Sequence, residues 1–137
     1  MNRKFVSLVD GLESNGKELV KMVARLSGAE ILAPPAPNEW SIHQALAHLR
    51  DTEKFVFLYR TQRILKEVNP NVPSFDQEAY HREHYTSTES LKIVMKEFLQ
   101  ARRKLVALLR KTSDKDWARF AVHPQYGNIS LEWLATH

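Results

Sequence analysis

Between three proline-bearing breaks, the apolar residues of this chain recur at three- and four-residue steps, a period that restricts it to packed helices. Pro34, Pro35 and Pro37 mark the first break, Pro70 and Pro73 the second, and Pro124 with Gly127 the third. In the first segment Phe5, Leu8, Leu12, Leu19, Val23 and Leu26 form one stripe, which predicts a helix over residues 3–27 with Gly28 as its C-terminal cap. Ser41-Ile42-His43-Gln44 reads as a capping box, in which the Ser hydroxyl and the Gln side chain satisfy helix-end amides reciprocally. The helix it opens is expected to run to about Val68. Leu91, Met95, Phe98, Leu105 and Leu109 give a third stripe over residues 88–111, and Ser130 is placed to cap a fourth helix from Leu131. Residues 70–85 read as an irregular crossover with a short helical turn near 76–81, longer than a bundle usually needs. No segment alternates as a strand does, so the expected class is all-α.

The 137 residues suit one domain, and with 43% of them apolar there is enough to build a real core. A fourth helix of seven residues is too short to complete a bundle, so domain 1–137 is expected to be truncated within that helix. The absence of cysteine excludes disulfides, Cys-ligated zinc and thiol catalysis. No apolar run approaches the ~18 residues of a membrane span. Asp10 and Glu13 interrupt what would have to be a signal-peptide core. The expected location is therefore cytoplasmic, with no membrane partner. The net charge of +4 is spread over Lys and Arg interleaved with Asp and Glu, the pattern of a solvated surface. A nucleic-acid partner would ask for a basic face with aromatics between the cations.

Two polar residues fall on apolar faces. On a wheel of about 100° per residue, Phe55 and Tyr59 lie within about 20° of His48, while Arg50, Lys54 and His43 lie on the far side. This puts His48 near the middle of the apolar face of its helix. Asp51 lies beside it, either orienting the imidazole or facing solvent. Arg102 lies about 20° from Leu91, inside the third stripe. A histidine so placed is either a hydrogen-bonded core residue or a ligand, and a buried arginine needs a carboxylate or must reach back to the surface. His81 and His84 sit in the crossover as part of a solvated loop or a second metal site, and His123 before Pro124 reads as structural. No H-x-x-x-H pair, Gly-rich phosphate loop or G-x-S-x-G elbow is present.

The stretch Asn38-Glu39-Trp40-Ser41-Ile42-His43-Gln44-Ala45-Leu46-Ala47-His48-Leu49 resembles the signature of the DinB/YfiT-like metalloenzyme family, a Trp-Ser helix start followed by a Leu-x-His-Leu step. The resemblance continues through the Val72-Pro73 crossover, the third helix with Arg102, and the His123-Pro124-Gln125-Tyr126-Gly127 turn. It implies an up-down-down-up four-helix bundle, often a homodimer, with a three-histidine site for a divalent metal, zinc or nickel. One ligand position of the family matches His48. The other two belong to an H-x-x-x-H pair on the last helix, which this sequence lacks; such a pair falls just beyond residue 137, or else His137 is its first member.

The resemblance implies a metal-dependent hydrolase, or a transferase acting with a low-molecular-weight thiol, on a small-molecule substrate. Arg102 is then a candidate for holding an anionic substrate group or an internal carboxylate, and Trp40 and Tyr59 for lining the pocket. The rival reading is a non-catalytic, dimeric, stress-related binding module in which His48 is an ordinary core residue.

Overall fold

The computed structural model describes residues 1–137. Helix α1 spans Arg3–Ala24, and a short α2 spans Gly28–Leu32. Gly28 opens α2 instead of capping α1, because Ser27 and Glu30 form a capping box of their own. The proline connector turns through Asn38, at φ 67°, into the expected Ser41–Gln44 box. From there one continuous helix runs as α3 (Ile42–Thr52), a π segment (Glu53–Leu58) and α4 (Tyr59–Lys66). The crossover contains α5 (Gln77–His84), capped by Asp76. Then come α6 (Leu91–Arg110), a 3-10 turn (Asp114–Ala118), strands β1 (Phe120–His123) and β2 (Gly127–Ser130), and α7 (Leu131–Thr136).

The helices form a four-helix bundle whose directions can be read from pairs of residues. Asp10 meets Arg110, and Leu12 meets Arg102, so α1 and α6 are antiparallel. His43 meets Glu89, Arg50 meets Glu97 and Glu53 meets Arg102, so α3 and α6 run parallel. The long crossover is what a parallel pair requires. Lys4 pairs with Glu132, which brings α7 alongside the start of α1 and closes the up-down-down-up order. The core lies in three apolar clusters along the bundle. One is built around Val9, Leu105 and Trp117, one around Leu46, Val94 and Phe98, and one around Ile64, Ala121 and Ile129. No helix is long and apolar enough to cross a membrane.

The all-α expectation holds, with one small two-stranded sheet added. β1 and β2 pair antiparallel, from Phe120 opposite Ser130 to His123 opposite Gly127, and Val122 also bridges to Asn71. Strands of four residues are too short to show a period of two above the background of turn residues. Gly127, at φ 70°, makes the reversal.

Candidate functional site

The six histidines divide by what their rings do. His43 is buried; its Nε2–H donates to the Glu89 carbonyl (2.9 Å), which leaves Nδ1 to accept from the Tyr85 hydroxyl (2.7 Å). His84 and His137 each donate from Nδ1 to the carbonyl one helical turn back, at Tyr80 (3.0 Å) and Trp133 (2.7 Å). His123 is buried, and its Nδ1 accepts the backbone N–H groups of Gln125 and Tyr126. Histidine ring hydrogen bonds are confined to these four residues. The two rings left over, His48 and His81, lie against one indole: Trp40 meets His48 edge-on at 5.3 Å between centroids and stacks on His81 at 4.4 Å.

Asp76 caps α5 by accepting the Ala79 N–H, and the helix so fixed carries His81 against the start of α3. His81 is only 6% exposed, and neither ring nitrogen has a hydrogen-bond partner. Burial lowers its pKa; the neighbouring His48 lowers it further and Asp51 works the other way. Its other face stacks on Tyr85 at 4.5 Å. The hydroxyl of Thr52, one turn after His48, is the other buried side-chain group left unpaired. The expected solvated crossover is therefore wrong for His81, because α5 packs onto α3.

His48 is half-buried, not central. The buried face of α3 carries His43, Ala47 and Asp51, because α5 and α6 cover that side, and His48 lies about 100° around from Ala47 on its flank. His43, expected on the outer side, is accordingly inside. So is Asp51, at 8% exposed, whose Oδ1 accepts from Arg50 Nε (2.8 Å). Arg50 also grips Glu89 with both terminal nitrogens (2.7 and 3.0 Å). Burial works against its charge, yet these carboxylates raise its pKa overall, and the bond from Arg50 holds Glu89 below the usual carboxylate range.

The π segment redistributes the second half of the helix. An i→i+5 turn holds one residue more than an α-turn, so every later side chain is rotated by about 100° from its place on a regular wheel. Tyr59, expected within about 20° of His48, is exposed and engaged with Arg63, by a hydrogen bond of 2.7 Å and a cation–π contact. Glu53, whose N–H still bonds to the Leu49 carbonyl in α register, stands before this rotation, seven residues after buried Leu46, and is 3% exposed and inside the bundle. Both of its oxygens accept from Arg102, whose third nitrogen donates to the Leu12 carbonyl (2.7 Å). Of the two roles open to Arg102, the geometry fills that of partner to an internal carboxylate. The pair lines a cavity of about 120 Å³ with Phe57, Thr61, Leu105 and His137. His48 does not line it, so the two histidines expected as ligands face different spaces. Trp40 instead lines a surface cleft with His81, Tyr85 and Glu78.

No group of three His, Cys, Asp or Glu side chains is placed to hold a metal ion. A catalytic zinc site takes about three protein ligands with one position open. The residues present therefore do not by themselves fit such an ion. Glu53 escaped sequence reading because the wheel was centred on His48, whereas the face that packs inward runs past Leu46, seven residues before Glu53. His81 escaped because the packing of α5 onto α3 is a long-range choice.

A family model described as the DinB superfamily matches residues 12–137. Among solved structures, the chain is similar to YfiT from Bacillus subtilis, described as a probable metal-dependent hydrolase with an unusual four-helix bundle topology. The TM-score is 0.85 at 20% identity, covering 98% of this chain and 78% of that one, a likeness of fold. No curated protein matches the sequence.

Proposed function

This chain belongs to the DinB superfamily, and from that premise we propose that it is a divalent-metal-dependent hydrolase acting on a small molecule, with His48 as one ligand of the ion. The observation that carries the reading is the state of the His48 ring. It stands at the Leu-x-His-Leu position of the signature, half-buried beside Trp40, and spends neither nitrogen on a hydrogen bond within the chain. A core histidine of the ordinary kind would be paired, as His43 is. Imidazole donors suit zinc or nickel. The description of YfiT as a probable hydrolase favours hydrolysis over thiol transfer. Within the chain, the Trp40 indole forms the wall beside His48, and the Arg102–Glu53 pair fixes α6 against the π segment beneath it.

The test uses protein purified without chelators. About one zinc or nickel ion per chain is expected by elemental analysis. Hydrolysis of a panel of small esters and amides should disappear on stripping, return on reloading, and be lost with the ion in His48→Ala. Purified protein that takes up no metal while keeping its fold overturns the reading in favour of the binding module. Metal-dependent consumption of a low-molecular-weight thiol with an electrophile, and no hydrolysis, overturns it in favour of a transferase.

A further inference from the structure

Arg60, on α4, is buried at 6% exposed and has no carboxylate partner. Arg50 and Arg102 each close on one, and so do Arg63 on Glu67 and Arg119 on Asp116. The one hydrogen bond of Arg60 runs from Nη2 to the Pro73 carbonyl and is long, at 3.4 Å. A buried guanidinium without a counter-ion is a costly arrangement. Burial pushes its pKa down, and Tyr126 is the neighbour that works the other way.

His123 stands at the same junction. Val122 bridges to Asn71 in parallel register and exchanges backbone hydrogen bonds with Pro70 and Val72. This brings Pro73, the acceptor from Arg60, level with the end of β1. His123 is 4% exposed. Its Nδ1 accepts two backbone N–H groups, so its proton sits on Nε2, and that N–H donates to nothing within the chain. The unpaired side-chain groups sealed from solvent belong to Thr52 and His81, so the free nitrogens of Arg60 and His123 keep access to the surface. Tyr126, stacked on His123, is 63% exposed.

We propose that Arg60 and His123 bind a small oxyanion, the carboxylate or phosphate group of a ligand, where α4 meets the crossover and the β-hairpin. Every unspent group there is an N–H donor, and one carries a charge that the chain leaves unbalanced. A guanidinium fork matches the paired oxygens of a carboxylate or phosphate, and the neutral imidazole adds one directed N–H. Neither residue belongs to the proposed metal site, so this inference and the hydrolase reading stand or fall separately.

The experiment is an NMR titration of the purified protein with inorganic phosphate and, separately, with acetate, at an ionic strength held constant with chloride. The Arg60 Nε–H and His123 ring resonances report on the site. Both should shift together and saturate with at least one titrant, and the tighter titrant identifies the ligand's anionic group. Arg60→Met should weaken binding by about 10–100-fold, the worth of charge-assisted hydrogen bonds. It should still fold, since it buries no unpaired charge. Arg60→Lys keeps the charge without the fork and should fall between. His123→Asn keeps an acceptor for the turn but loses Nε2–H, and should weaken binding about tenfold. Lys66→Gln removes an exposed charge from the same helix and should leave binding unchanged. Should Arg60→Met fail to fold, Arg60→Lys and His123→Asn carry the comparison. A parent that binds neither anion overturns the proposal and leaves Arg60 as a strut for the Pro73 carbonyl. Binding weakened equally by Lys66→Gln and the Arg60 variants also overturns it.

Discussion

The guanidinium of Arg102 and the carboxylate of Glu53 face each other inside the bundle through paired N–H···O contacts, Glu53 being 3% exposed and the Arg102 side chain 15%. Each stands on the inward side of its helix, Arg102 within the apolar stripe of α6 and Glu53 seven residues after buried Leu46.

Removing one member of this pair leaves a buried charge without its partner. Glu53→Leu is expected to cost about 3 kcal/mol, read from urea unfolding. The double variant Glu53→Leu with Arg102→Met should recover most of that loss, because two apolar side chains bury no charge. If the double variant is no more stable than the single, the pair's two members do not depend on each other as drawn.

Gly11 and Gly16 lie on different sides of α1, about 140° apart, and meet different surroundings. A Cβ at Gly11 would touch nothing within 4 Å, whereas at Gly16 it would stand 3.2 Å from Cγ of Arg102. Gly11→Ala should therefore stabilise the protein by about 0.5–1 kcal/mol through helix propensity alone. Gly16→Ala should gain less or lose, since it presses on the stem of the arginine that holds Glu53. Equal shifts in melting temperature for the two variants would contradict the close approach.

His123 carries a pH dependence of stability. Burial lowers its pKa in the folded protein, and Arg60 on α4 pushes in the same direction. Tyr126 stacks on its ring, and its Nδ1 already accepts two backbone N–H groups, so a proton has no place there. Above about 6.5, the unfolded value, neither state is protonated and the contribution to stability is complete. As pH falls below that, the unfolded chain takes up a proton that the folded one refuses, and stability drops until the folded pKa is reached. Unfolding free energies measured from pH 8 to 5 should decline over this window. His123→Asn, which keeps an acceptor for the turn amides, should flatten the decline; an unchanged slope would remove His123 as its source.

Most of the helices were legible because their signals are local. The capping box at Ser41, the stripe from Leu91 to Leu109 and the cap at Ser130 each lie within a few residues of the helix they specify. The DinB signature lies in one such stretch, around Trp40 and His48. The candidate site was half legible. His48 and Trp40, both singled out as candidates, stand side by side, whereas Tyr59 turned outward, His137 lines a different cavity, and the buried, unpaired His81 was read as part of a solvated loop.

The chain's apolar period, its caps and its proline breaks were enough to determine an all-α chain and the helix that bears His48, since those depend on neighbours in sequence; the bundle order came with the family resemblance. Tertiary packing alone decided which side of α3 is inside, that the helix opens into a π turn at Glu53, and that α5 lays His81 against Trp40. A wheel assumes one regular helix in isotropic surroundings. Burial of Glu53 against Arg102, and of His43 and Asp51 beneath α5 and α6, is settled by helices distant in sequence.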